Sequence, residues 1–342
     1  MNVTIKDVAK VSGVSPSTVS RVISNNPRIS DDTKRTVREA MKKLGYHPNA
    51  IAQSLVNRST NTIGIVMPQS TEKAFLNPFF SQALSGISSA AHEKNYHLLL
   101  STGSTEEEQL ISVEKIVNGG RVDGIIIMYS SVNNVILEAA KDFNTPIVII
   151  GKPLVAIEKV LYVDNDNIEA SKNVTEKLIK NGHKRIAYIS GPFEFVVSLD
   201  RLDGYRNALL ENQIDLDRQL ICEGEFSQED GYKCMKKLLQ CKDRPTALVV
   251  TDDIMAFGAM KAIKEAGINI PLEIEIISFN NIPLAEFCRP ALTSVDTDAY
   301  SLGLEASKLI IEHIKGRTDR HKVIVPTTIV YRETFKETKE EN

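Results

Sequence analysis

No run of apolar residues in this chain of 342 residues approaches the roughly 20 that a membrane-spanning helix needs. The four cysteines, Cys222, Cys234, Cys241 and Cys288, show no CxxC spacing, which argues against a zinc knuckle or a disulfide framework and leaves free thiols as the expectation. Catalytic signatures are also missing: there is no GxGxxG after a strand, no GxxxxGK[ST], no GxSxG and no HExxH. Asp252 and Asp253 are paired carboxylates in sequence only, because neighbours point different ways and nothing supplies an acid partner. No enzyme activity, cofactor or metal is expected. The opening MNVTIKDVAK places Lys6 and Asp7 where a secretory leader needs an unbroken apolar core, so a cytoplasmic protein without a membrane partner is expected.

What is present is an ordinary globular composition, 42% apolar and 25% charged, with a length that fits two or three domains. The charge is unevenly placed. Residues 1–60 hold ten Lys/Arg against four acids, a net +6, so the total of −3 leaves −9 for the remainder. A basic head on an acidic body is the footprint of nucleic-acid contact confined to one end.

The head reads as three short helices. Thr4 and Asp7 fit a capping box, with Ile5, Val8 and Ala9 at helical spacing until Gly13. Ser15 caps a second helix with Pro16 at its first position, and Asn25, Asn26 and Pro27 break it. Ser30 caps a third, lined by Val37, Ala40, Met41 and Leu44 and ended by Gly45. Two helices joined by a tight turn near Gly13 satisfy a helix-turn-helix, whose second helix enters the major groove. Val19, Val22 and Ile23 would pack inward, leaving Pro16, Ser17, Ser20 and Arg21 outward. There Arg21 can read a guanine or hold a phosphate, and Ser17 and Thr18 can meet base edges or backbone oxygens. The alternative is the solvated face of a small helical bundle.

Residues 46–62 are polar and broken by Pro48, as a linker would be. Beyond them short apolar strands alternate with amphipathic helices: IGIVMP, YHLLLSTG, VDGIIIMY, TPIVIIGK, RIAYISGP, TALVVTDD and EIEIISFN. Continuous apolar strands belong to parallel sheets covered on both faces. Recurrent Asn or Gly turns, as in HEKNYHLLL and IKNGHKRIAYI, mark a doubly wound α/β body large enough for two sheets.

TIKDVAKVSGVSPSTVSRVI, followed by ISDDTKRTVREAMKKLGYHPNAIAQSL, resembles the head of the lactose/galactose repressor (LacI/GalR) family of bacterial transcription regulators. The likeness runs over essentially the whole chain, and NPFF, GKP and SFNN are similar to the maltose-operon regulators of Gram-positive bacteria. It implies an α/β fold class: an N-terminal all-α helix-turn-helix head, residues 1–47, a hinge, 48–61, and a periplasmic-binding-protein-like body, 62–342. The body would be two doubly wound parallel-sheet lobes, the first about 62–163 and 294–322, the second about 164–293 and 323–336.

The resemblance also implies roles. Pro16, Ser17 and Arg21 match base-reading positions; Thr4, Ser15, Ser20, Ser24, Arg28, Ser30 and Thr33 match positions at or near phosphates; Tyr46, Asn49 and Gln53 belong to the approach and hinge. Leu55 matches a leucine wedged into the minor groove, a role whose plain alternative is a buried leucine of a linker helix. In the body, Arg201, Asp252, Asn280, Phe226 and Phe79 or Phe80 match effector contacts. Phe80 reads equally as core, and Asp253 reads as a helix cap. Asn280 and Asn281 stand where many relatives have aspartates, which suits a neutral polyol. The implied protein is a homodimeric repressor of sugar-utilisation genes. Its partners would be double-stranded operator DNA and a small sugar, maltose or another α-glucoside. A regulator answering to a phosphorylated or protein co-repressor, and a sugar enzyme with a DNA-binding head, are the rival readings.

Overall fold

A hydroxyl residue precedes each of the first three helices, and two of the three end at a left-handed glycine. They are α1 (Ile5–Ser12), α2 (Pro16–Ile23) and α3 (Asp31–Leu44). Gly13 and Gly45 take φ of 70° and 63°, conformations that side-chain-bearing residues adopt at a cost. Val8, Val19, Val22 and Val37 fill the space between the helices with Ala9 and Ala40, and Ile23 is half-buried beside them. Each fully buried valine contributes about 1.5–3 kcal/mol, and the Ser15 and Ser30 caps add to this small core by satisfying the starts of α2 and α3.

The computed structural model describes residues 3–47, 59–68, 75–101, 103, 105–154 and 160–336. They fall into two units, Met1–Thr60 and Asn61–Asn342. Asn49, Gln53, Leu55 and most of the expected hinge lie outside the described residues.

In the second unit the chain forms β1 (Thr62–Val66), α4 (Pro78–Glu93), β2 (His97–Ser101), α5 (Glu106–Asn118), β3 (Gly124–Ile127), α6 (Val135–Ala139), β4 (Ile147–Ile150) and β5 (Val160–Asp164). It continues through α7 (Asn167–Lys180), β6 (Ile186–Ser190), α8 (Val196–Glu211), β7 (Ile221–Glu223), α9 (Gln228–Leu238), β8 (Ala247–Val250), α10 (Asp253–Glu265), β9 (Glu275–Phe279), α11 (Leu284–Phe287) and β10 (Thr293–Asp296). It closes with α12 (Ala299–Ile314), β11 (Lys322–Ile324) and β12 (Thr328–Val330).

The strands make two six-stranded sheets, in the orders β11-β5-β4-β3-β1-β2 and β12-β10-β9-β8-β6-β7. Both faces of each are covered. In β3, Ile126 joins one core while Ile125 and Ile127 join the core on the opposite face. In β8, Leu248 and Val250 face one way and Ala247 and Val249 the other. Unbroken apolar strand sequences therefore follow from burial on both sides.

Two details differ from the sequence reading. The second sheet is not wholly parallel: β12 runs antiparallel to β10, pairing Asp296 with Thr328 and Ser294 with Val330. β10 leaves its sheet at the end where the chain crosses to the first lobe, and β12 re-enters from that same end, so its direction is reversed. The expected lobe limits at 293/294 and 322/323 also move, because β10 still belongs to the second sheet and β11 to the first, so the chain crosses at 297–298 and 325–327.

Candidate DNA-reading head and effector cleft

In the head, α2 presents Pro16, Ser17, Ser20 and Arg21 to solvent, with Val19 and Val22 buried beneath. The hydroxyls near the helix starts are engaged locally. Ser15 accepts from the Thr18 amide at 3.1 Å and lies 2.8 Å from the Ser17 hydroxyl, and Ser30 accepts from the Thr33 amide at 3.3 Å. Asp7 accepts from both the amide and the hydroxyl of Thr4, which lowers its pKa. Helix N-termini with free backbone N–H groups suit phosphate oxygens. Thr4, Ser15, Ser24, Arg28 and Ser30 are exposed, Thr18 and Thr33 half-exposed, and Tyr46 packs partly into the head core.

The second unit has its polar centre between the two sheets. Asp252 caps α10 by accepting from the Ile254 amide at 2.7 Å. Its other oxygen accepts from Asn280 at 2.8 Å and, across the lobes, from Asn77 at 2.9 Å. Asn77 in turn caps α4, accepting from the Phe79 amide at 3.0 Å. One asparagine thus starts a first-lobe helix and reaches the carboxylate that starts a second-lobe helix. Burial raises the pKa of Asp252, opposed by the Asn77 hydrogen bond.

Arg201 projects from α8 into this centre and is nearly fully buried. Its Nε donates to Asn167 at 2.9 Å and its Nη1 to the Thr251 carbonyl at 2.7 Å, while the guanidinium lies 4.2 Å from the Phe279 ring centroid. Burial lowers its pKa, yet guanidinium stays protonated in proteins. Beside it Lys152, from the GKP turn, bridges the lobes to Asp200 at 2.8 Å. Backbone bonds join the lobes nearby, Val132 N–H to Glu194 O at 2.8 Å and Val196 N–H to Ser130 O at 3.0 Å. An aromatic file follows the same seam: Tyr129 meets Phe195 at 6.3 Å, and Phe195 meets Phe226 at 5.8 Å.

Asn165 holds the three crossings together. Its Nδ2 donates to the Thr297 carbonyl at 3.1 Å and the Val325 carbonyl at 2.9 Å. Next to it Asp164, accepting from Asn167 at 3.0 Å, is pushed by burial up to about 7.

Of the residues that the resemblance implied, Asn280 bonds Asp252 and Arg201 holds the adjoining Thr251 carbonyl, while Phe79 follows two residues after Asn77. Phe79 and Phe80 lie edge to face at 5.3 Å, both half-buried against the first-lobe core. Two expectations are corrected. The helix cap is Asp252, not Asp253, which is wholly buried and accepts from Ser278, from Ser294 at 2.7 Å and from the Ile282 amide at 2.8 Å. Asn281 does not join Asn280, since its amide binds Asp296 and Arg332, at 2.9 and 2.8 Å. The sequence reading missed Asn77, Lys152, Asn165, Asn167 and Phe195. Only Asn77 carried a local signal, the Asn-Pro pair that opens a helix.

The sequence profile of the bacterial regulatory proteins, lacI family, matches residues 4–49, and that of the periplasmic binding protein-like domain matches residues 175–335. The HTH-type transcriptional regulator MalR of Streptococcus pneumoniae is 38% identical over 97% of this chain and 99% of its own. A solved complex of the transcriptional regulator CelR with cellobiose is 31% identical, covers 98% of this chain and 100% of its own, and superposes with a TM-score of 0.77. The Lac repressor dimer bound to operator and the anti-inducer ONPF is 27% identical and superposes with a TM-score of 0.84 over 98% of this chain and 99% of its own.

Proposed function

Starting from the fact that this chain belongs to the lacI family of bacterial regulatory proteins, and so to transcription regulators rather than enzymes, we propose that it is a homodimeric operator-binding repressor released by maltose or a maltodextrin. The observation that carries the sugar reading is the interlobe centre of Asp252, Asn280, Asn77 and Arg201. Amides and carboxylates there offer both donors and acceptors, as vicinal hydroxyls require, and Asn280 adds no charge. The aromatic file ending in Phe226 supplies an apolar face for a sugar ring.

A sugar entering between the lobes exchanges its hydroxyls for the Asn77–Asp252 bond, and Arg201, already held by Asn167 and Thr251, meets it with its orientation fixed. The lobes then settle at a different opening. Operator affinity changes only to the extent that the sugar prefers one opening over the other. In the head, Pro16, Ser17 and Arg21 face base edges, with Thr4, Ser15, Ser20, Ser24, Arg28, Ser30 and Thr33 near phosphates.

Operator binding by the full chain, titrated with maltose, cellobiose and glucose at one salt concentration, tests this. Release by maltose at the lowest concentration is expected. Release by cellobiose alone would move the specificity to β-glucosides, and tighter binding with maltose would reverse the sign of control.

A further inference from the structure

Among the four free thiols, two meet. Cys222 lies on β7, the edge strand of the second sheet, and Cys234 lies on α9, which packs against it. Both sulfurs approach one backbone oxygen, that of Glu223: Cys234 Sγ at 3.5 Å and Cys222 Sγ at 3.9 Å. That shared acceptor places the two sulfurs side by side in the core beneath the sheet edge. The other two lack such a neighbour. Cys241 Sγ faces the Gln219 carbonyl at 3.9 Å, and Cys288 Sγ faces those of Ala285 and Pro290 at 3.3 and 3.2 Å.

We propose that Cys222 and Cys234 are a modification site, a dithiol that hydrogen peroxide closes into an intramolecular disulfide. The Cys222 sulfur attacks one peroxide oxygen, the O–O bond breaks, and the departing hydroxide leaves as water with the proton of the Cys222 thiol. The resulting sulfenic acid is then attacked by the Cys234 sulfur. The S–S bond forms, the S–O bond breaks, and the hydroxyl leaves as a second water with the Cys234 proton. Two thiols are oxidised by two electrons and one peroxide is reduced to two waters.

Cys222 is the attacking member on physical grounds. The neighbouring Cys234 thiol lowers its pKa to about 7, aided by the Lys237 charge, whereas the neighbouring Cys222 and burial push Cys234 up. The thiolate is the nucleophile, so the first attack falls to Cys222, and Cys234, buried and held as a thiol, closes the disulfide in the slower second step. The pair is also wired to the lobe seam. Glu223, whose backbone oxygen both sulfurs face, accepts from the Phe193 amide through its side-chain carboxylate at 2.8 Å, and the Phe193 turn leads into Glu194 and Phe195 at the interlobe contact.

The test is chemical and does not depend on operator or sugar. The full native chain is treated with peroxide, quenched in acid, alkylated and digested without reductant. The expected product is a peptide joining Cys222 to Cys234, with free thiols falling from four to two and restored by dithiothreitol. Cys234→Ser, similarly treated, should trap Cys222 as a dimedone-reactive sulfenic acid. Wild-type chain that keeps four thiols, or that first loses Cys241 or Cys288, would overturn the proposal without reference to the variant.

Discussion

Arg201 illustrates how one side chain serves both fold and site. Its two bonds and its contact with Phe279 hold three second-lobe segments, so Arg201→Ala leaves the buried Thr251 carbonyl without its donor. That vacancy costs roughly 1–3 kcal/mol of body stability. Operator binding in the absence of sugar should persist, because the head has its own core, while the sugar response disappears. An unchanged inducer titration in the variant would remove Arg201 from the site. Asp253 makes a different residue-scale prediction. Its carboxyl titrates near 3.8 when unfolded and, chiefly through burial, about 7 in the fold. Between those values the folded chain keeps a proton that the unfolded chain has released. This contribution to stability is therefore whole below about pH 4 and is lost as pH rises through about 7. Asp253→Asn keeps an acceptor for the Ile282 amide and donors for the two serine hydroxyls, but does not titrate. Its melting temperature relative to wild type should rise from pH 4 to pH 8; a constant difference would mean that Asp253 is ionised in the fold.

At the scale of elements, α9 and α10 meet almost backbone to backbone. A Cβ on Gly258 would lie 1.9 Å from the Gln228 carbonyl oxygen, and one on Gly231 would lie 2.1 Å from that of Met255. Gly258→Ala adds about 1 kcal/mol of helix propensity, but a backbone oxygen at that range cannot step aside. The helices must separate, and net destabilisation of about 1–3 kcal/mol is expected by thermal or urea unfolding. A stabilised variant would refute the close packing. These elements also show what the sequence makes legible. The head could be read because Thr4, Ser15, Pro16, Ser30, Gly13 and Gly45 act on helices within a few residues of themselves. The strands could be read because burial on both faces leaves uninterrupted apolar runs. The Asn77–Asp252 bond joins residues 175 positions apart, and Asn165 reaches over 132 and 160 positions to clamp the crossings. No local pattern encodes such distances. Likewise β12, three residues long, has a direction set by where the chain re-enters the sheet and not by its composition.

At the scale of the whole molecule the proposed repressor has two ligands, operator and sugar, coupled through one chain. Coupling of this kind is reciprocal: if saturating maltose weakens operator binding by a given factor, operator must weaken maltose binding by the same factor. A typical coupling of 1–3 kcal/mol corresponds to roughly 5- to 150-fold. The body already has contacts that a sugar can trade against, the Asn77–Asp252 bond and the Lys152–Asp200 ion pair, so the sugar's preference for one opening is a difference between its own hydrogen bonds and these. Calorimetric titration of maltose into the chain alone and into the chain saturated with operator measures the factor from one side, and operator titration with and without maltose measures it from the other. Salt must be held constant, because each phosphate neutralised adds about 0.9 to the slope of log affinity on log salt and a drift in salt would mimic coupling. Equal factors are expected from the two directions. Maltose affinity that is unchanged by operator, alongside operator release by maltose, is thermodynamically impossible at equilibrium and would show that release does not come from reversible maltose binding but from an irreversible process such as aggregation.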